Sequence, residues 1–262
     1  MMRTLSWRLF TLLTVLVLLL ASSCSSGSDS LAARSESGGP LMLVVYGGSM
    51  LTYPPNRGAI HAYTDMLEED FGVHVNMRLA GMGLCCNPPA IARYLTSERA
   101  KSELERADVV IIESPVSGLA GWTAILAGFG GLDPADCGGD DNQQCLRDSL
   151  AEYKDGVAEI FSLLTAAADP SETLIRAVDG YGGAGDTSQA TPYWKEAREF
   201  FAETAAKYGI PTARVFAEFS GPDGTDNAQD RGLIGPDGMH PSEAGALLIA
   251  ETIHDLGYDF AE

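Results

Sequence analysis

Basic residues are scarce in this chain. It has 17 Lys and Arg against 36 Asp and Glu among 262 residues, which gives a formal net charge of −19 at pH 7. A surface of this sign repels phosphate backbones, so the composition excludes nucleic acid as a partner. Aromatic residues make up only 8%, but hydrophobic residues reach 45%, enough to form the core of one globular domain of ordinary size.

Long apolar runs are also lacking, apart from "TLLTVLVLLL" near the N-terminus. This run follows Arg3 and Arg8 and is too short for a stable bilayer span, so it predicts an export signal over residues 1–23. It closes on "LASSC", which resembles the lipobox of bacterial lipoproteins and implies that Cys24 is lipidated. Two acyl chains would hold the protein on the cell envelope outside the cytoplasm, and plain secretion is the alternative.

Cysteines are few: five in all, of which four follow Cys24. An even number in an exported chain favours two disulfides over free thiols. A bridge between the neighbours Cys85 and Cys86 would be strained, so we expect each of them to pair with one of Cys137 and Cys145, in either arrangement. The spacing lacks paired C-x-x-C motifs, so these cysteines indicate no metal site, and nothing else in the sequence calls for a metal or cofactor.

Residues 24–40 are rich in Ser and Gly, which predicts a flexible tether before a folded domain over residues 41–262. In that domain, short apolar runs alternate with helical patterns. Each parallel connection needs a crossover, so this alternation predicts a three-layer α/β/α sandwich with a central, mainly parallel five-stranded sheet of flavodoxin-like type. The expected strands are Leu41–Tyr46, Val73–Leu79, a run from Asp108, Thr173–Val178 and Ala213–Phe219. The expected helices are Ala59–Phe71, Pro89–Ala107, Cys145–Ala168, Pro192–Tyr208 and Ser242–Leu256.

Two motifs carry candidate chemistry. "YGGSM" places Ser49 directly after the first strand, and "GPDGMHPSEAG" places Asp237 three residues before His240 at the entrance to the last helix. A hydrolytic serine needs a general base, and the base needs a carboxylate that fixes its tautomer. Ligands of parallel sheets bind beyond the carboxyl ends of the strands, where both motifs are expected.

With these motifs, the sequence resembles the SGNH, or GDSL-type, hydrolase family over the whole folded region. The resemblance implies Ser49 as nucleophile with Asp237 and His240 completing the triad, and hydrolysis of esters or thioesters through an acyl-serine without a cofactor. It also implies an oxyanion hole that includes the backbone N–H of Ser49 and a glycine after the second strand, with Gly81 favoured over Gly83. The expected substrate is a small-molecule or carbohydrate ester.

The sequence departs from the family pattern at two places. Gly48 stands where the family usually has Asp, and "ESPVSG" replaces the usual G-x-N-D block, so the expected asparagine position falls near Val116. Losing one oxyanion donor costs roughly 3 to 4 kcal/mol of transition-state stabilisation. Candidate substitutes are Ser114, Ser117 and Asn87. The alternative hypothesis is therefore a non-catalytic surface binding protein that retains the fold.

Other polar residues have structural explanations in the sequence. Glu113, at the end of the third strand, either lines the site or is solvated, and the solvated interpretation is favoured because carboxylates at strand edges are mostly exposed. The Gly-rich run from Asp179 lacks the lysine of a phosphate-binding loop and is interpreted as an active-site loop. Residues 221–230 resemble a calcium loop only loosely, since they lack its terminal glutamate. The sequence does not indicate an oligomeric state.

Overall fold

The computed structural model describes residues 31–36, 38–55, 57–80, 88–115, 138–181, 191–221 and 225–260. Within these ranges the helices are α1 (Leu31–Ser35), α2 (Ser49–Thr52), α3 (Ala59–Phe71), α4 (Pro88–Leu95), α5 (Glu98–Leu104), α6 (Gln144–Ala167), α7 (Thr191–Ala206), α8 (Val215–Ser220) and α9 (Glu243–His254). The strands are β1 (Leu41–Tyr46), β2 (Val75–Ala80), β3 (Val109–Glu113), β4 (Leu174–Val178) and β5 (Thr212–Ala213).

The five strands form one parallel sheet in the order β2-β1-β3-β4-β5. This confirms the predicted five-stranded parallel sheet. β1 and β3 lie at the centre, with Tyr46 opposite Ile112 in their register. The residues that follow these two strands therefore meet at one edge of the sheet, and this edge carries the candidate site.

Alternate residues of each central strand point to opposite faces, and each face is covered. Val44 and Val110 face a core formed with α4, α6 and α7, whereas Leu43, Val45 and Ile111 face a core formed with α3 and α9. β3 is buried along its whole length, as a strand covered on both faces must be. The architecture is the predicted three-layer α/β/α sandwich. In the described part of the chain, no helix is both long and apolar enough to cross a membrane.

Two sequence predictions about the elements are wrong in detail. The fifth strand covers only Thr212–Ala213, and the rest of the predicted run is helix α8, in which Val215 and Phe219 are both buried. These two residues are four positions apart, which is a helical spacing. In so short an apolar run, this spacing cannot be distinguished from the pattern of a buried strand. The predicted helix 89–107 is two helices, because the Ser97 hydroxyl accepts the Ala100 N–H and caps a new helix.

The folded region begins before Leu41, so the predicted tether is too long. Leu31 in α1 is fully buried in the core beside α3 and α9. Arg34 forms an ion pair with Asp108, 3.2 Å apart, and lies over the ring of Phe260. Ser and Gly dominate the composition of this segment, yet Leu31 and Arg34 both contact the domain.

Candidate active site

Ser49 is the first residue of α2, directly after the turn that ends β1. Gly48 precedes it in an extended conformation, and the Ser49 residue is exposed. Among the described residues, the Ser49 hydroxyl has no hydrogen-bond partner. The serine therefore lies at the edge of the sheet with its hydroxyl accessible, as its place after β1 predicts.

The turn before Ser49 is built against Glu113, the last residue of β3. The Gly48 N–H donates to Glu113 Oε2 at 2.6 Å, and Glu113 is only 7% exposed. A Cβ at position 47 would lie 2.8 Å from the same carboxylate oxygen, so a side chain there would displace it. The expectation that Glu113 is solvated is wrong, because the Gly47–Gly48 turn covers the end of its strand.

Asp237 and His240 form a compact pair. The Asp237 Oδ1 accepts the N–H groups of Met239 and His240, both at 3.0 Å, and Oδ2 lies 2.7 Å from His240 Nδ1. These hydrogen bonds, the one from the imidazole first, lower the pKa of Asp237 to about 2. An ionised carboxylate can only accept, so His240 Nδ1 carries the proton and Nε2 of the neutral ring is left as the acceptor.

The segment around this pair is held from both sides. The Gly235 N–H donates to the His240 carbonyl at 2.8 Å, and Ile234 forms an antiparallel bridge with Pro241. Ser242 then caps α9 by accepting the Gly245 N–H at 3.1 Å. These contacts hold the turn at the start of α9 independently of any contact that the imidazole makes.

Tyr53 connects the serine to the histidine. Its ring stacks on the His240 imidazole with centroids 4.3 Å apart and planes 26° apart. Its N–H donates to the Ser49 carbonyl at 2.9 Å, one helical turn from the serine. α2 packs against α9, and Arg57, in the loop that follows α2, pairs with Glu243 of α9 at 2.7 Å. Ser49 and His240 thus belong to one surface.

Tyr181 is a site residue that the sequence analysis missed. It follows β4, its hydroxyl donates to the Met239 carbonyl at 2.9 Å, and its ring stacks on Phe219 with centroids 4.6 Å apart. Burial raises the pKa of Tyr181, and the nearby carboxylates of Glu113 and Asp237 raise it further. The Tyr181 hydroxyl therefore lies against the turn that carries Asp237 and His240. The available signal in the sequence is a tyrosine in the loop that follows β4.

No protein-family model matches the sequence, and no curated protein sequence matches it significantly. Solved structures do match. A lipase from a goat rumen metagenome superposes with a TM-score of 0.64 at 16% identity, covering 83% of this chain and 98% of the lipase. A member of the lipolytic G-D-S-L family from Veillonella parvula superposes with a TM-score of 0.54 at 12% identity, covering 82% and 97%. The fold is that of the SGNH/GDSL hydrolases.

A third solved structure that this chain matches is a two-domain esterase active on acetylated mannans. It superposes with a TM-score of 0.51 at 16% identity, covering 85% of this chain and 50% of the esterase. At these identities the similarity establishes the fold, and the roles of individual residues depend on the geometry described above.

Several predicted site residues of the SGNH fold lie outside the described residues. These are Cys24, Gly81, Cys85, Cys86 and Cys137, together with the alternatives Gly83, Asn87 and Ser117 and the block position Val116. Their roles stay predictions. Cys145 is disulfide-bonded, with its partner outside the described ranges.

Ser114, the remaining candidate for the missing oxyanion donor, is buried. Its Oγ lies 2.7 Å from the Tyr153 hydroxyl on α6, so this serine already has a partner in the core. It does not support the role of a replacement donor. Across the described ranges, no group of three or more His, Cys, Asp or Glu side chains is placed to hold a metal ion.

Proposed function

We propose that this protein is a serine ester hydrolase in which Ser49 is the nucleophile, His240 the general base and Asp237 its orienting carboxylate. The observation that carries the proposal is the Asp237–His240 pair stacked on Tyr53, one helical turn from an exposed serine. The SGNH fold, which this chain shares with lipases and esterases, supports the same reaction class.

In the proposed reaction, the Ser49 Oγ attacks the ester carbonyl carbon while its proton passes to His240 Nε2. Asp237 stabilises the imidazolium that forms, since its carboxylate stays ionised. The imidazolium then gives its proton to the leaving alcohol as the carbon–oxygen bond breaks. Water, deprotonated by the same imidazole, attacks the acyl carbon. The imidazolium returns that proton to Ser49 Oγ as the acyl–oxygen bond breaks, which releases the carboxylic acid and restores the serine.

The tetrahedral intermediate carries negative charge on oxygen and needs hydrogen-bond donors that are already in place. We assign the backbone N–H of Ser49, at the start of α2, as one donor and propose Gly81 as a second. An asparagine is missing from the block after β3, so we expect slower turnover than three donors would give.

We propose that the substrate is an acyl ester of a small molecule or a surface carbohydrate. The similarity to an esterase active on acetylated mannans supports a carbohydrate ester, whereas similarity to lipases supports a longer acyl chain. A series of p-nitrophenyl esters from acetate to palmitate distinguishes the two, since a carbohydrate deacetylase should prefer acetate over every longer chain.

We also propose that the protein is exported and held on the membrane through a lipid on Cys24. The N-terminal pattern of Arg3, Arg8, the apolar run and "LASSC" supports this. Mass spectrometry of the membrane fraction should find an acylated Cys24 at the mature N-terminus. A free, unmodified N-terminus in the culture medium would instead indicate secretion.

A fluorophosphonate probe tests the catalytic assignment, because it reacts with activated serines. We expect the wild-type protein and the Ser171→Ala control, altered in an exposed turn, to be labelled, and Ser49→Ala to be unlabelled. Equal labelling of Ser49→Ala would reject Ser49 as nucleophile. Absence of both labelling and ester turnover in the wild type would favour the binding-protein alternative.

A further inference from the structure

A buried carboxylate beneath the nucleophile turn has no role in the triad. Glu113 ends β3 in the centre of the sheet, and its Oε2 accepts the Gly48 N–H at 2.6 Å, one residue before Ser49. Burying a carboxylate is unfavourable unless hydrogen bonds compensate it. A backbone N–H forms a shorter and stronger hydrogen bond to an ionised carboxylate than to a neutral acceptor.

The turn is shaped to receive this carboxylate. A Cβ at Gly47 would meet Glu113 Oε2 at 2.8 Å, Glu113 Cβ at 3.2 Å and Leu51 Cδ1 at 2.8 Å. Gly47 thus lets the backbone pass directly over the end of β3. Since Leu51 lies in α2, the same close contact sets the position of this helix on the sheet.

The contact holds the peptide unit immediately before the one that leads into Ser49. The Gly48 N–H lies in the peptide plane between Gly47 and Gly48, and the next peptide carries the Ser49 N–H, the proposed oxyanion donor. Each peptide plane is rigid, and the Gly48 dihedrals alone relate the held plane to the next one; at the extended φ of −116° and ψ of −151°, the bond to Glu113 is a reference for the Ser49 N–H and Cα. Positioning of this kind matters for rate, because a misplacement of about 1 Å can cost about 100-fold.

We propose that Glu113 is a positioning residue that aims the Ser49 hydroxyl and backbone N–H by holding the Gly48 amide. The proposal rests on Ser49 being the nucleophile, as proposed above. Glu113 acts through the backbone and does not touch substrate. Its removal should therefore lower kcat and leave KM nearly unchanged.

Three variants test the proposal with p-nitrophenyl acetate as substrate. Glu113→Gln keeps an acceptor oxygen at the same reach and should retain kcat within about fivefold. Glu113→Asp is one methylene too short, and Glu113→Ala has no acceptor, so both should lose about 10- to 100-fold in kcat with KM within about threefold. The rate of fluorophosphonate labelling at Ser49 should fall in parallel with kcat.

Glu103→Gln is the matched control. Glu103 is also buried and hydrogen-bonded, to Arg78, Tyr94 and Arg99, but it lies on α5 away from Ser49. The Glu103→Gln variant should change the thermal stability of the protein without changing kcat. If Glu113→Ala fails to fold, Glu113→Asp and Glu113→Gln still give the comparison.

The proposal is overturned if folded Glu113→Asp or Glu113→Ala turns over at the wild-type rate. It is also overturned if Glu113→Gln loses as much kcat as Glu113→Asp, since an acceptor at the same place would then not restore the turn. Failure of the proposed function looks different: the wild type itself would neither hydrolyse the ester nor be labelled.

Discussion

At the scale of single residues, the candidate site includes side chains outside the proposed triad that hold its turns in place. Tyr181 supports the turn of Asp237 and His240 through the Met239 carbonyl, and Glu113 supports the turn of Ser49. Ser49, Asp237 and His240 could be predicted because their residue types and spacing suggest the chemistry. The burial of Glu113 could not be predicted, because a glutamate at a strand end becomes buried only when a distant turn covers it.

Replacing Tyr181 by Phe removes the hydroxyl that holds the Met239 carbonyl and keeps the ring on Phe219. We expect kcat to fall by about tenfold, because the turn that carries His240 gains freedom. Tyr94→Phe removes a hydroxyl from Glu103 on the other face of the sheet and serves as the control, with kcat unchanged. Steady-state kinetics check both, and equal kcat for Tyr181→Phe and wild type would contradict the supporting role.

At the scale of elements, α9 is fitted closely to the loop that precedes it. Gly245, in its first turn, leaves no room for a side chain, since a Cβ would lie 2.1 Å from the Leu233 carbonyl oxygen and 3.1 Å from the Phe219 ring. The glycine in "HPSEAG" is therefore needed for packing.

From the sequence, both ends of α9 were predicted to within two residues, whereas α8 was mistaken for a strand because its short apolar run fits either period.

Gly245→Ala should destabilise the fold although alanine favours helices. Backbone must shift to admit the methyl group, so we expect the free energy of unfolding to fall by about 2–3 kcal/mol, as in overpacked cores. Ala244→Gly, at an exposed position of the same helix turn, is the control and should cost no more than about 1 kcal/mol. Urea denaturation measures the stability of both variants. A Gly245→Ala protein as stable as wild type would show that the loop around Leu233 can move to admit the methyl group at no cost in free energy.

At the scale of the whole molecule, the N-terminal segment and the site lie at opposite ends of the sheet. α1 is fixed to Asp108, which precedes β3, while Glu113 ends the same strand beneath the nucleophile turn. The C-terminal residues reach the same region as α1, where Arg34 lies over Phe260 and the buried Arg176 donates to the carbonyls of Gly257 and Asp259. Both ends of the domain are therefore fastened away from the catalytic surface.

Leu31→Ala tests whether α1 belongs to the domain. A fully buried leucine replaced by alanine loses apolar burial and leaves a cavity, so the free energy of unfolding should fall by about 2–4 kcal/mol. Leu247→Ala, the same change at a residue that is 46% exposed, should have little effect. Equal urea midpoints for both variants would mean that α1 adds nothing to stability.

The sequence by itself determined the layers, the parallel sheet and the three candidate catalytic residues, because periodicity and short motifs depend on neighbours along the chain. Only the tertiary structure decided that Glu113 is buried, that Tyr53 stacks on His240 and that α1 packs against the core. Each of these contacts joins two segments that are distant in sequence. Their burial and hydrogen bonding arise only when the fold brings the two segments together.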